Sequence, residues 1–456
     1  MFALPGILAL LVAHYTKVHE MSALLRSLPV VHTLYVLAGL GFLLDLRLGL
    51  IRAEACPQLR LVLPLWLWTL ASVALTRGSV MREINATLVY VLLFLLIAHS
   101  LQTLRALRLV AVSILVLSLF VGGVAFIQRL NPFQCIFLVA SAPNDSAGRP
   151  DGRGCETAAD CRVDAGPGED YVCERPGPLQ TTSVAHGRIR YRGVLEDPNE
   201  LALALVIALP FAITLLAERR SFLRILFVIA TFAITIPVVV WSASRTGQMA
   251  FVVVMAVLVL KRVQWKNMFA LAALAAPALL LGGRSGDEAK ASAMERLEAW
   301  SSGLDMFRSS PVWGIGKSQF VEHYYLTAHN TFILEAAELG LIGMILWVGV
   351  FYTSFKIAVL AVRRYRGRAD ATVPYIWARA FLAALCGIAV GISFLSLAYH
   401  PILWAFFALV GAFYLAVRRH DPEFRVVFRM RDMIVVTGFA FVLLAGIKGY
   451  LLIRGV

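Results

Sequence analysis

The stretch Ala328–Gly343, AHNTFILEAAELGLIG, closes a polar segment and opens an apolar helix. His329 and Asn330 stand at its mouth, nine residues separate Asn330 from Gly340, and Gly343 follows. Small residues at such positions let another helix backbone approach closely. A histidine held at the mouth of a membrane helix can exchange protons near neutral pH from a rigid support. The apolar pattern predicts a span over 330–359. Outward from it the rest of the chain reads the same way: 59% of the 456 residues are hydrophobic, 15% are charged, and mean hydropathy is +0.77. Soluble domains run at about 45–50% apolar and about 25% charged.

Apolar runs near the roughly 20 residues needed to cross a bilayer recur along the chain. The predicted spans are 2–13, 29–46, 61–75, 87–101, 107–127, 198–217, 223–243, 247–261, 267–283, 330–359, 375–397, 399–417 and 433–453. The expected fold is an all-α, polytopic integral membrane protein of 12 to 13 transmembrane helices with two long periplasmic loops. Its segments are N-terminal helices over 1–127, a cysteine-bearing loop over 128–197 and central helices over 198–283. A second loop over 284–329 and C-terminal helices over 330–456 follow. The first apolar run lacks a basic flank and a cleavage site, so no cleavable signal peptide is expected.

A net charge of +14 would suit nucleic acid, but its placement argues against that partner. With the N-terminus inside, twenty basic residues fall on inside loops and flanks, among them Arg219, Arg220, Arg363, Arg364, Arg418 and Arg419. The short outside loops hold five: Lys17, Arg26, Arg77, Arg82 and Arg245. That bias marks cytoplasmic loops, and it puts both long loops on the outer side. There Cys135, Cys155, Cys161 and Cys173 suggest two disulfides, with three pairings open. A zinc site is the weaker reading, since no CxxC pair is present. Cys56 and Cys386 fall in or beside apolar runs and read as small hydrophobes.

The first loop ends in HGRIRYRGVLEDPNELALALVIALPF, where Arg188, Arg190 and Arg192 alternate. An extended backbone would turn all three to one face. They read either as a headgroup-level cluster before a helix start or as an anion site. Asp197 is the expected N-cap and Pro198 suits the first turn. Ser242, Ser244, Arg245 and Thr246 form a polar island before Gly247, and Arg245 is either an interface anchor or a cavity-lining group. In the second loop Met294, Leu297, Trp300, Leu304 and Phe307 keep helical spacing, which predicts an amphipathic helix on the outer leaflet. Arg296 sits one turn before Trp300; Pro311 stops the helix and Gly314-Ile315-Gly316 turns the chain toward His329.

The outer side thus offers one proton acceptor and separate arginine positions. Arginine grips phosphate bidentately and keeps its charge, so converging arginines imply a phosphate or diphosphate ligand. There is no P-loop, no nucleotide fingerprint and no carboxylate cluster for a metal, so neither cofactor nor metal is expected. A capping or interfacial role is the competing reading of His329, and His323, His99 and His400 have weaker claims. Glu335 and Glu338, three apart within the helix, are given no chemical role.

Four features together resemble the bacterial O-antigen ligase and O-antigen polymerase superfamily, over about residues 190–345. They are Gly193…Asp197-Pro198-Asn199, Ser244-Arg245-Thr246-Gly247, Arg296…Trp300…Pro311…Gly314-x-Gly316, and His329-Asn330-x9-Gly340-x2-Gly343. The cysteine-bearing loop lies outside that pattern. The resemblance implies a metal-independent, inverting glycosyl transfer from an undecaprenyl diphosphate-linked glycan to an acceptor sugar hydroxyl, on a saccharide or lipid A-core. The site would face the periplasm from the bacterial inner membrane. By resemblance His329 is the general base, Arg245 and Arg296 grip the diphosphate with Arg192 as a third, and Asn330 and Asn199 support them. A transporter of anionic or lipid-linked glycans is the alternative; inverted repeats would favour it, and none is evident.

Overall fold

In a computed structural model the described residues are 1–21, 23–76, 78–138, 149–163, 170–184, 187–260 and 287–456. The protein is all-α and multi-pass, 75% helical with very little sheet. Among the described residues, nine helices are long and apolar enough to cross a membrane, and three shorter apolar ones accompany them. In chain order they are α1 (Ala3–Thr16), α2 (Val30–Arg47), α3 (Leu59–Leu75), α4 (Val80–Ser100) and α5 (Leu104–Leu130). After the first long loop come α6 (Pro198–Glu218), α7 (Phe222–Trp241) and α8 (Arg245–Val259). A polar helix, α9 (Asp287–Ser309), precedes α10 (Thr331–Tyr365), α11 (Thr372–Phe394), α12 (Pro401–His420) and α13 (Met430–Arg454). Twelve of the predicted spans therefore have a helix, and the one over 267–283 lies outside the described residues.

Two compact units divide the chain. The first comprises Met1–Ile7, Leu34–Val110 and Arg284–Val456; the second comprises Leu8–Thr33 and Ala111–Gly283. In the first, Asp45 is fully buried and accepts from the amides of Phe2 (2.8 Å) and Ala3 (3.0 Å), so a carboxylate caps the start of α1. Gln58 joins α3 to two further helices through Ser354 Oγ (3.3 Å) and the Phe407 carbonyl (3.2 Å).

The largest departure from expectation is in α10. It is not one continuous rod: Gly340 takes φ 66° and ψ −170°, and the helix breaks there. A break frees backbone groups that hydrocarbon cannot satisfy, at several kcal/mol each. The turn over 311–316 satisfies them. Ile315 and Gly316 donate to the carbonyls of Ala337 and Glu338 (2.9 Å each), and the Leu341 amide donates to Pro311 (2.8 Å). Trp68 Nε1 takes the Leu339 carbonyl at 2.9 Å. A Cβ on Gly340 would stand 2.2 Å from the Val312 carbonyl oxygen, and one on Gly314 (φ 72°) would stand 2.2 Å from the Glu338 oxygen. Gly340, which promised helix–helix approach, instead admits a loop backbone into a broken helix, whereas a Cβ on Gly343 would first meet Leu339 of the same helix.

In the second unit, the cysteine-bearing loop holds a small antiparallel sheet that hydropathy did not foretell. Strands β1 (Gln134–Leu138), β2 (Arg149–Gly154) and β3 (Asp170–Glu174) lie in the order β2-β1-β3. The two expected disulfides are Cys135–Cys161 and Cys155–Cys173. Cys135 and Cys173 are register partners across β1 and β3, yet each bonds elsewhere. Cys56 and Cys386 are free, as their apolar settings suggested.

Candidate functional site

The mouth of α10 is built by residues that flank His329. Asn330 is the N-cap: its side-chain oxygen accepts from Phe332 (3.0 Å) and Ile333 (3.2 Å), and its amide donates to the Ser393 carbonyl at 3.0 Å. Thr331 donates to the Leu395 carbonyl (2.7 Å) and accepts from the Leu397 amide (2.9 Å). Thr327 meets Ser396 at 2.8 Å. Three polar residues around His329 (Thr327, Asn330 and Thr331) thus fasten to the end of α11 and to its link with α12. His329 itself has φ 46°, in the left-handed region that costs a non-glycine residue about 1 kcal/mol or more. It is half-buried, while Ala328 and Asn330 on either side are buried. The flanking bonds hold the backbone on both sides of that conformation.

The first half of α10, from Thr331 to the break, carries two fully buried carboxyl side chains. Glu338 Oε1 accepts from the Phe320 amide at 3.2 Å. Glu335 has no hydrogen-bond donor on either oxygen among the described residues. Tyr399 stands nearby in the link between α11 and α12; burial first, then the Glu335 and Glu338 carboxyls, push its phenol well above its ordinary value. Lys317, directly after the inserted turn, bonds Glu83 of α4 at 2.7 Å and lies 4.7 Å from the Tyr399 ring centre. Sequence reasoning missed this buried pair. Its signal was an isolated acid beside the apolar run of α4 and a lysine after a glycine turn; a charge in such places needs a partner.

Helix α9 has the predicted amphipathic spacing and packs against α10 and α13. At Gly303 the helices α9 and α10 are close: a Cβ there would stand 2.4 Å from Ile333 Cγ2, in the first turn of α10. Arg296 is two turns earlier, about 10 Å along the axis, and is half-buried. Within the first unit, then, His329, Asn330 and Arg296 belong to elements in direct contact.

Arg192, Asn199 and Arg245 belong to the second unit. Alternation of Arg188, Arg190 and Arg192 does not leave three open guanidinium groups. Arg188 donates to the Ser242 carbonyl at 2.9 Å. Arg190 donates to Thr182 O (3.0 Å) and pairs with Glu174 (3.6 Å) and Glu196 (3.5 Å). Arg192 donates to the carbonyls of Leu179 (2.7 Å) and Gln180 (3.2 Å), and burial lowers its pKa from the ordinary arginine value. Between them Tyr191 is fully buried, donates to the Thr16 carbonyl at 2.9 Å, and has its phenol pushed up to about 12 by burial. Arg192 is thereby fixed to the scaffold on one edge.

Asp197 caps α6 as expected, accepting from both the amide and the side chain of Asn199 at 2.7 Å. Ser244 caps α8 through Gly247 N at 3.0 Å, after Ala243 at φ 49°. Arg245 is the exposed first residue of that helix. A short polar cap therefore presents Arg245, as the fastened mouth of α10 presents His329.

Comparison with protein families gives one match: residues 230–348 fit the family model described as O-antigen ligase. That stretch includes Arg245, Arg296, His329, Asn330 and the two glycines of the α10 break, Gly314 and Gly340, and excludes Arg192 and Asn199. No curated protein matches the chain.

Proposed function

We propose, from the premise that the chain belongs to the O-antigen ligase/polymerase superfamily, that it moves a glycan from undecaprenyl diphosphate to an acceptor sugar hydroxyl. The reaction is metal-independent and inverting, on the periplasmic side of the bacterial inner membrane. His329 accepts the proton of the acceptor hydroxyl, and the oxygen attacks the anomeric carbon. The bond from that carbon to the diphosphate oxygen breaks, its electron pair leaves with the lipid diphosphate, and the configuration inverts. Arg245 and Arg296 offset the charge gathering on the leaving diphosphate. Arg192, already engaged by two carbonyls, orders the loop beside the substrate.

The observation that carries this reading is the left-handed His329, over-determined by its neighbours within the matched stretch. Local strain persists where surrounding structure enforces it, and such sites cluster at functional centres. A positioned imidazole contributes about 10²–10⁴ in rate to such a proton transfer.

The test is reconstitution with one defined undecaprenyl diphosphate-linked repeat unit, without nucleotide sugar and with a chelator present. One free undecaprenyl diphosphate per glycosidic bond is expected. Longer chains on the same lipid identify a polymerase, and transfer to added lipid A-core identifies a ligase. Movement of intact donor across the bilayer with no bond made would replace the enzyme with a transporter.

A further inference from the structure

At the far end of α12 from the His329 mouth lies a cavity of about 380 Å³ lined by three arginines. The start of α12 adjoins the link bonded to Thr331, and the helix rises about 26 Å from Pro401 to Arg418. The arginine bias of the loops assigns this end to the cytoplasmic face. All of the cavity belongs to the first unit.

Arg60 stands in the opening turn of α3, whose N-cap Gln58 makes no side-chain cap bond, so the helix end adds partial positive charge. Arg418 comes from the last turn of α12 and Arg425 from the link after it. Arg418 reaches Glu54 at 3.2 Å and lies 5.7 Å from the Tyr414 ring centre, yet its buried Nε has no hydrogen-bond partner. Glu54 is also approached by Arg52 at 3.9 Å, so that carboxylate is balanced outside the cavity. Arg60 and Arg425 are exposed and pair with no carboxylate among the described residues. Pro57, Val426 and Phe428 supply an apolar wall beside the three guanidinium groups.

We propose that this cavity binds a phosphate-bearing anion: the headgroup of an acidic phospholipid, or a soluble oligophosphate. Guanidinium groups converging from three segments suit a tetrahedral anion bidentately, and a partly buried one pairs more strongly than an exposed one. A basic pocket between membrane helices at the cytoplasmic surface is the setting in which phospholipid headgroups are held, and the apolar wall gives the glycerol region a place. Nothing in the proposed glycosyl transfer uses these residues, so the site stands or falls separately.

The test compares the full-length protein with R60Q/R425Q, which leaves the Arg418–Glu54 pair intact. Both go into nanodiscs of phosphatidylcholine with phosphatidylglycerol, and retained lipid is counted by native mass spectrometry after detergent transfer. Sodium pyrophosphate is titrated separately and followed by the shift in melting temperature. A headgroup site predicts phosphatidylglycerol retained at least tenfold over phosphatidylcholine by the wild type, with that preference lost in the variant. A soluble-anion site predicts a pyrophosphate-induced shift in the wild type that the variant lacks. Should the double variant fail to fold in phosphatidylcholine alone, R425Q by itself is expected to lose at least half of either effect. Equal lipid preference and equal pyrophosphate response in wild type and variant, or neither effect in the wild type, overturns the proposal.

Discussion

The mouth of α10 and the arginine-bearing segment before α6 look alike in sequence: short polar runs, each leading into an apolar helix. They differ in which residues the scaffold uses. At the mouth, Thr327, Asn330 and Thr331 make the structural bonds and His329 is the residue they position. In the arginine segment, Arg188, Arg190 and Arg192 make the bonds themselves, to carbonyls and, for Arg190, to the Glu174 and Glu196 carboxylates. Arg192 is held by two carbonyls, so its charge alone does not mark it as a substrate group. Arg245 and Arg296 lie inside the stretch that fits the family model, and Arg192 lies outside it.

The comparison can be broken most severely at the support beneath the mouth. Gly340→Ala places a Cβ against the Val312 carbonyl oxygen at a positive φ, and is expected to abolish folded, monodisperse protein. Gly39→Ala, with nothing within 4 Å of the added Cβ, should purify and melt like wild type. Next, opening Cys155–Cys173 with C155S/C173S removes a constraint on an 18-residue separation, worth about 3 kcal/mol in the chain-entropy picture. Its expected signature is faster proteolysis of the loop, with the rate per folded molecule unchanged. A variant of unaltered protease resistance would show the sheet to be self-sufficient.

Smaller effects sharpen the contrast between arginines. Arg296→Lys is expected to lower transfer tenfold or more at unchanged melting temperature, because ammonium cannot copy a bidentate grip. Arg192→Lys should do the opposite: about 1–2 kcal/mol of stability lost with its carbonyl bonds, and little change in rate per folded molecule. If both variants lose rate alone, Arg192 acts on the substrate as Arg296 does and not on the scaffold. Asn330→Ala removes the cap and should cost about 1 kcal/mol, read by thermal melting, with a rate decrease that follows His329's loss of alignment.

Hydropathy located twelve helices because membrane insertion depends on local composition, which the chain carries wherever its neighbours are. It could not locate the break at Gly340, since the groups that satisfy it come from Pro311, Ile315, Gly316 and Trp68. Asp197 was legible as a cap because capping is decided within three residues; the cap at the mouth of α10 was read at His329, and the structure places it one residue on, at Asn330. Disulfide pairing was not: it depends on the register of β1, β2 and β3, and the cross-strand neighbours Cys135 and Cys173 do not pair. Alternation at 188–192 suggested one shared face, but the carbonyls that claim those arginines lie in other segments. The local signals at Glu83 and Lys317 each call for a partner, but they do not point to one another across 234 positions.

The central claim is that α10 holds His329 in a left-handed conformation so that its imidazole takes a proton from the acceptor. Asparagine tolerates that backbone region but cannot act as the base. His329→Asn, measured beside wild type in the reconstituted transfer reaction, is therefore predicted to melt as wild type does and to lose about 10²–10⁴ in rate. Transfer by the folded asparagine variant at near the wild-type rate would contradict the account.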